Sequence, residues 1–311
     1  MSLSIGTNDS AMRASQAASI AARGMEASME RLSTGKRINS ASDDAAGVAI
    51  SSRLSAEVRG TNQSVRNALD AQALLDTAEG SHKEIENVLQ RMREIAVQSA
   101  NDTNNTQDRL NLQTEMNTMI KEIDRISHAT TWAGQNLLDG DTNGDPDTNA
   151  AFSFQVGSAT GTQNQISVNI GSTTAESLGL THTDGNSLAI VIADATATAN
   201  GRTATEHVTG NAATTAAGNA MVTIGVIDAA IEEVNTQRST LGATANRLNY
   251  TVNNLTNMSA NLSSAQGRIQ DADFAIETTN LAKNQILQQA STAMLAQANA
   301  SQANVLGLLR S

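Results

Sequence analysis

One short acidic stretch carries residues that could bind a metal ion. Residues 139–149 read DGDTNGDPDTN, which fits the opening of a calcium-binding loop, where side-chain oxygens alternate before a glycine turn. The candidate ligands are Asp139, Asp141, Asn143 and Asp145. The twelfth position, where such loops have a bidentate glutamate, is Ala150. A weak calcium site and an acidic surface turn are therefore the two interpretations.

The remaining reactive side chains form no catalytic constellation. The four histidines are His82, His128, His182 and His207, and none belongs to an H-E-x-x-H motif. His82 falls on an apolar heptad position, which predicts a packed helix residue rather than a ligand. The chain has no Cys, which excludes disulfides, thiol catalysis and Cys-ligated metals. The sequence predicts no enzyme and no cofactor other than calcium.

Long helices must position these residues, because only one Pro interrupts the 311-residue chain. Apolar residues recur at heptad spacing over residues 54–96, 112–126 and 224–262. The first pattern predicts about 55 helical residues following an N-cap at Ser42, and the third predicts a helix of about 45 residues. The short, turn-like connection at 101–106 predicts that the second helix folds back antiparallel along the first.

The part of the chain between these helices has a different composition. Residues 139–223 are rich in Thr, Asn, Gly, Asp and Ala, with apolar residues alternating at 152–156 and at 166–170. Such alternation is typical of strands, so we predict a β-hairpin at about 151–171. A third short apolar run at 188–192 predicts a further small element.

The two ends of the chain are amphipathic and nearly uncharged, so we predict that they pair side by side as helices. Ordering both ends costs more conformational entropy than one helix pair can offset by burial. We therefore expect disordered ends in the free chain that become helical when other copies cover them. The predicted self-assembly residues are Met25, Met29, Leu32, Leu287, Met294, Leu295, Ala298, Val305, Leu306 and Leu309.

Charge and hydropathy exclude several kinds of partner. The net charge is −11 and is concentrated in the middle of the chain, which disfavours nucleic acid because phosphate is repelled. No apolar run reaches the roughly 20 residues of a membrane span. The first residues lack the basic and hydrophobic regions of a secretory signal peptide, so export would need another route.

Three long motifs closely resemble bacterial flagellin. They are RLSTGKRINSASDDAAG at 31–47, RIQDADF at 268–274 and QILQQASTAMLAQAN at 285–299. The resemblance covers residues 1–180 and 222–311, and it implies a structural subunit of the extracellular flagellar filament that serves swimming motility. It further implies self-assembly, export through the flagellar export apparatus, and contact with an export chaperone and a cap protein.

The resemblance also implies an interaction with the Toll-like receptor for flagellin. Flagellins of the immunostimulatory type use an Arg, an aliphatic residue and a Glu, which match Arg91, Ile95 and Glu115. Ile95 stands where Leu is usual. The alternative is that Arg91 and Glu115 are ordinary exposed helix charges.

We predict a mainly α fold with a small β part, in which the N- and C-terminal halves pair as a long antiparallel coiled-coil rod. The predicted domains are 1–42 with 268–311, 43–180 with 222–267, and a short variable insertion at 181–221. A hook-filament junction protein of the same architecture is the first alternative to the filament subunit. A helical signalling rod is the second, although it would not interrupt its helices with β-like sequence.

Overall fold

The computed structural model describes residues 7–140, 150–180, 198–199, 202–203 and 216–310. For residues 106, 198–199, 202–203, 216–219 and 303–310 it describes the backbone alone. Most of this is helical, which confirms the mainly α fold. The helices are α1 (Asp9–Thr34), α2 (Ala45–Ser99), α3 (Thr106–Ala129), α4 (Ala216–Gln270) and α5 (Phe274–Arg310).

The described strands form antiparallel two-stranded hairpins. They are β1 (Thr131–Trp132) with β2 (Gln135–Asn136), β3 (Ala150–Gln155) with β4 (Gln165–Ile170), and β5 (Thr198–Ala199) with β6 (Arg202–Thr203). In the second hairpin Phe152 pairs with Val168, which confirms the hairpin predicted at 151–171. The apolar run at 188–192 and most of the predicted insertion at 181–221 lie outside the described residues.

The long helices agree with the heptad patterns in position, but their ends differ from the prediction. α2 has the predicted 55 residues, whereas α4 also has 55 and is longer than expected at both ends. Residues 263–270 contain turn-like polar residues but no Pro, and the helix continues through them to Gln270. α2 begins at Ala45 rather than at Asp43, because the Asp44 carboxylate, not Ser42, accepts the Gly47 amide hydrogen at 2.8 Å.

The chain divides into two compact units, and their limits differ from the predicted domain limits. Unit 1 comprises Met1–Arg59 with Met258–Ser311, and unit 2 comprises Gly60–Asn257. The predicted limits at 42 and 268 were placed where the helices break. The observed limits lie within α2 and α4 instead. The first turns of α2 and the last turns of α4 therefore belong to unit 1.

In unit 1, backbone hydrogen bonds join the connection between α1 and α2 to the connection between α4 and α5. α1 ends at Gly35, whose φ of 69° is the left-handed conformation that a glycine adopts without strain. The Gly35 carbonyl accepts the Ala272 amide at 2.9 Å, and the Arg37 amide donates to the Gln270 carbonyl at 2.7 Å. The Gln270 side chain also accepts the Ser51 hydroxyl at 2.9 Å. These bonds hold the start of α2 and the end of α4 beside each other.

An exposed carboxylate organises the loop before α2. Asp43 Oδ2 accepts the backbone amides of Ser40 at 2.9 Å and Asn39 at 3.1 Å. These hydrogen bonds stabilise the charged form and so hold the pKa of the Asp43 carboxyl below its usual value. The hydrogen bond from Ser40 has the largest effect.

Unit 2 contains the main hydrophobic core. α2, α3, α4, the segment 137–138, the β3–β4 hairpin and the segment 171–180 each contribute fully or almost fully buried apolar side chains. The largest of these are Leu75, Ile85, Leu89, Met92, Ile95, Met116, Ile123, Leu137, Leu138, Ile170 and Leu180. α3 begins with a reciprocal cap between Asn105 and Asp108 that satisfies two free amides of its first turn. No helix in the described part of the chain is long and apolar enough to cross a membrane.

His82 is a fully buried polar residue of this core, which confirms that it is a packed helix residue. Its Nε2 lies 3.0 Å from the Gln237 side-chain oxygen, so α2 and α4 share a hydrogen bond inside unit 2. Arg238, which pairs with Glu86, and Glu79 add charge nearby. Burial lowers the pKa of the His82 imidazole more than the Gln237 hydrogen bond raises it.

The lowered pKa predicts that acid destabilises unit 2. The unfolded imidazole, with a pKa near 6.5, binds a proton that the folded one resists, so stability is full above about pH 6.5 and falls below it. We expect the free energy of unfolding in urea to fall between pH 7 and pH 5 more steeply in the wild type than in His82→Gln. Equal slopes for the two proteins would contradict this assignment.

Candidate self-assembly surface

α1 and α5 pair antiparallel within unit 1, which confirms the predicted pairing of the two ends. Three contacts mark the pair along its length. The Asn8 side-chain amide donates to the Ala298 carbonyl at 3.2 Å, and Arg31 lies 3.8 Å from Glu277, whose side chain is nearly buried. Between them, a Cβ atom built on Gly24 would lie 2.7 Å from Asn284 Nδ2, so the helices approach closely there.

The seam of this helix pair consists mostly of small and polar side chains. On α1 the buried or half-buried positions include Ala11, Ala14, Ala18, Ala21, Met25 and Ser28. On α5 they include Glu277, Leu281, Asn284, Gln288, Ser291, Leu295 and Ala298. Both sets repeat at alternating spacings of three and four residues, as in a coiled coil. Small side chains let the backbones approach, but they bury little apolar area.

Met25, Leu281 and Leu295 lie in this seam, but most large apolar side chains of the two helices lie outside it. Eight of them are between 44% and 66% exposed: Met12, Ile20, Met29, Phe274, Ile276, Ile286, Leu287 and Met294. We call these eight residues the end-helix apolar surface. An ordinary two-helix packing would place such side chains between the helices. Side chains of this size and exposure are available for contact with other copies of the chain.

The predicted self-assembly residues fall into three groups. Met29, Leu287 and Met294 belong to the end-helix apolar surface. Met25, Leu32, Leu295 and Ala298 are half-buried, so in this chain they serve the α1–α5 pair at least in part. The side chains of Val305, Leu306 and Leu309 lie outside the described residues.

Sequence reasoning did not identify the other five residues of this surface. They lie off the heptad positions of the two end segments and are Met12, Ile20, Phe274, Ile276 and Ile286. The sequence did contain a signal for them. The alanine-rich heptad positions already account for the pairing of the two ends, so large apolar residues at other positions indicate a second contact.

The structure separates the three residues matched to the receptor contact. Arg91 and Glu115 are exposed and joined at 3.0 Å, and Arg91 also contacts Glu94 at 2.8 Å. Ile95 is fully buried in the core of unit 2, so its assignment as a surface contact is wrong for this structure. Its heptad position places it in the hydrophobic cluster of unit 2.

Of the calcium-loop candidates, only Asp139 is within the described residues. Its two carboxylate oxygens contact His128 Nδ1 at 2.8 Å and the Asn136 side-chain amide at 3.1 Å. Asp141, Asn143 and Asp145 lie outside the described part of the chain. Among the residues described, no group of three or more His, Asp or Glu side chains could hold a metal ion.

Family models match both ends of the chain. Residues 5–143 match the bacterial flagellin N-terminal helical region, and residues 224–309 match the bacterial flagellin C-terminal helical region. The matches cover α1 to α3 and most of α4 and α5, and they include the two helices that carry the end-helix apolar surface.

Known proteins similar to this chain are flagellins over nearly their full length. A flagellin of Bacillus subtilis (strain 168) is 43% identical over 289 residues, covering 91% of each chain. A flagellin of Halalkalibacterium halodurans is 41% identical over 282 residues, covering 91% of this chain and 90% of that protein. Polar flagellin A of Vibrio parahaemolyticus is 33% identical over 383 residues, covering 99% and 100%. The chain therefore belongs to the bacterial flagellin family and is a structural subunit of the flagellar filament.

Proposed function

We propose that this subunit joins the filament by burying its end-helix apolar surface against the same helices of neighbouring copies. The observation that carries the proposal is the arrangement of the α1–α5 pair, with mostly small and polar side chains between the helices and eight large apolar ones exposed outside. A single chain leaves these eight side chains exposed to water, and each stabilises a contact by about 2 kcal/mol when buried. Identical copies would supply the missing apolar surface.

The same arrangement predicts that helix formation at the ends is coupled to polymerisation. α1 and α5 contain 26 and 37 residues, together about a fifth of the chain, and their shared seam buries little apolar area. We expect far-UV circular dichroism to show more helix in the polymer than in the free chain. Hydrogen exchange should place the change in α1 and α5, while the core residues of unit 2 remain protected in both states.

Equal helix content in free chain and polymer would contradict this coupling. A gain confined to unit 2 would contradict the assignment to the ends. Electron microscopy of the purified chain mixed with filament fragments establishes in the same experiment that polymer has formed.

We also propose export through the flagellar export apparatus, with an export chaperone and a cap protein as partners. Family membership supports this route, and the end-helix apolar surface supports the need for a chaperone, because a free chain exposes it before assembly. For the Toll-like receptor, the exposed Arg91–Glu115 pair remains the candidate contact. Another aliphatic residue, one that is exposed, would have to make the receptor contact assigned to Ile95.

A weak calcium site at residues 139–149 remains a proposal supported by the ligand spacing alone. Calcium would have to compete with His128 and Asn136 for Asp139. If it binds, millimolar calcium should raise the melting temperature of the wild type and have a smaller effect on Asp141→Asn, while magnesium should have little effect on either. An unchanged melting temperature in the wild type would leave the acidic turn as the correct interpretation.

A further inference from the structure

Methionines account for three of the eight residues of the end-helix apolar surface. Met12 and Met294 are 65% and 64% exposed, and Met29 is 55% exposed. Met92 and Met116, in the core of unit 2, are completely buried. Reagents in solution can therefore reach the thioethers on the end helices, whereas those of the core are shielded.

The chemistry of the chain makes exposed methionine thioethers its most oxidisable groups. It has ten Met and no Cys, so no thiol competes for a two-electron oxidant such as a peroxide. With hydrogen peroxide, the sulfur lone pair attacks one oxygen and the O–O bond breaks. The proton of that oxygen passes to the other oxygen, which already carries a hydrogen and leaves as water. The sulfur loses two electrons and becomes a sulfoxide, and the peroxide is reduced.

Oxidation of these methionines alters the surface of the chain more than its fold. A sulfoxide is polar and chiral where the thioether was apolar and flexible, and burying it without hydrogen-bond partners is unfavourable. The sulfoxides at positions 12, 29 and 294 would face water in the free chain and would not disturb the alanine-rich seam between α1 and α5. They would add polar groups to a surface that assembly requires to be dry.

We propose that Met12, Met29 and Met294 form an oxidant-sensitive modification site that controls addition of the free chain to a filament end. Their oxidation by a peroxide blocks addition, and enzymatic reduction of the sulfoxides restores it. This inference rests on the proposed burial of the end-helix apolar surface. It identifies a covalent modification that acts on that surface and the class of enzyme that reverses it.

The test compares elongation of unoxidised filament seeds by full-length chain before and after treatment with dilute hydrogen peroxide. Peptide mapping by mass spectrometry measures the sulfoxide at each methionine. We expect at least about a tenfold loss of elongation rate once all three sites are oxidised. Treatment with the two stereospecific methionine sulfoxide reductases should restore the rate.

The matched variant is Met12→Leu/Met29→Leu/Met294→Leu, which keeps the surface apolar and nearly unchanged in volume but removes the three sulfurs. It should elongate seeds at the wild-type rate both with and without peroxide. Met221→Leu, which removes an exposed methionine of unit 2, should remain as peroxide-sensitive as the wild type.

Two outcomes would overturn the inference. One is normal elongation by wild-type chain that is fully oxidised at the three sites. The other is a peroxide-induced loss in the triple variant equal to that of the wild type. Neither outcome would contradict the proposed burial of the end-helix apolar surface. That proposal is refuted separately if an untreated variant with a charge on this surface elongates seeds normally.

Discussion

Ile286→Glu is expected to raise the critical concentration for polymerisation by at least about 30-fold. The Ile286 side chain is 66% exposed on α5 and belongs to the end-helix apolar surface. Losing the burial of one such side chain costs about 2 kcal/mol, which corresponds to this factor, and burying an unpaired carboxylate costs more. The concentration of chain left in solution after seeded assembly and sedimentation measures the effect.

Gln285→Glu is the matched control for this substitution. Gln285 is the preceding residue of α5, is exposed and is already polar, so the variant adds the same charge without removing an apolar contact. We expect its critical concentration to stay within about threefold of the wild type, because one exposed charge contributes little. Equal effects of the two variants would show that charge alone governs assembly, and wild-type behaviour of Ile286→Glu would refute the proposed burial.

Leu89→Ala is expected to destabilise unit 2 by about 2–5 kcal/mol without touching the end-helix apolar surface. Leu89 is fully buried in the cluster formed by α2, α3 and α4. Truncating it removes apolar contacts and leaves a cavity that a closely packed core cannot fill. Urea unfolding of the free chain, followed by circular dichroism, measures the change.

Leu69→Ala makes the same truncation on the same helix at a side chain that is 48% exposed. Because little packing is lost there, its free energy of unfolding should change by no more than about 0.5 kcal/mol. Comparable losses in the two variants would contradict the placement of Leu89 in the core. The stability of unit 2 and the assembly of the end helices can thus be perturbed by separate substitutions.

Local pattern was sufficient to predict the main elements of this fold. Heptad spacing identified the 55 residues of α2, and alternation identified the β3–β4 hairpin, because both periods follow directly from backbone geometry. The connection between α2 and α3 was also short enough to imply their antiparallel arrangement. The limits of α4 were less accurate because residues 263–270 contain turn-like polar residues that also fit a helix.

The candidate sites were predicted less accurately than the elements. Met25 and Met29 are one helical turn apart, yet the first is half-buried in the α1–α5 seam and the second is exposed. Arg91 and Ile95 have the same spacing, yet Arg91 reaches solvent and Ile95 is buried in the core. A spacing of four residues places two side chains on the same side of a helix. It does not determine which of them the neighbouring helix covers.

The sequence alone determined that the chain forms long, nearly proline-free helices, that its two ends pair, and that its motifs are those of a flagellin. These properties depend on residue type and on spacing along one element. Only the tertiary structure decided that the α1–α5 seam is made mostly of alanine and polar residues and that eight large apolar side chains are left exposed outside it. The rotation of each helix about its axis depends on the packing of all its neighbours together, and that cannot be read from any single segment.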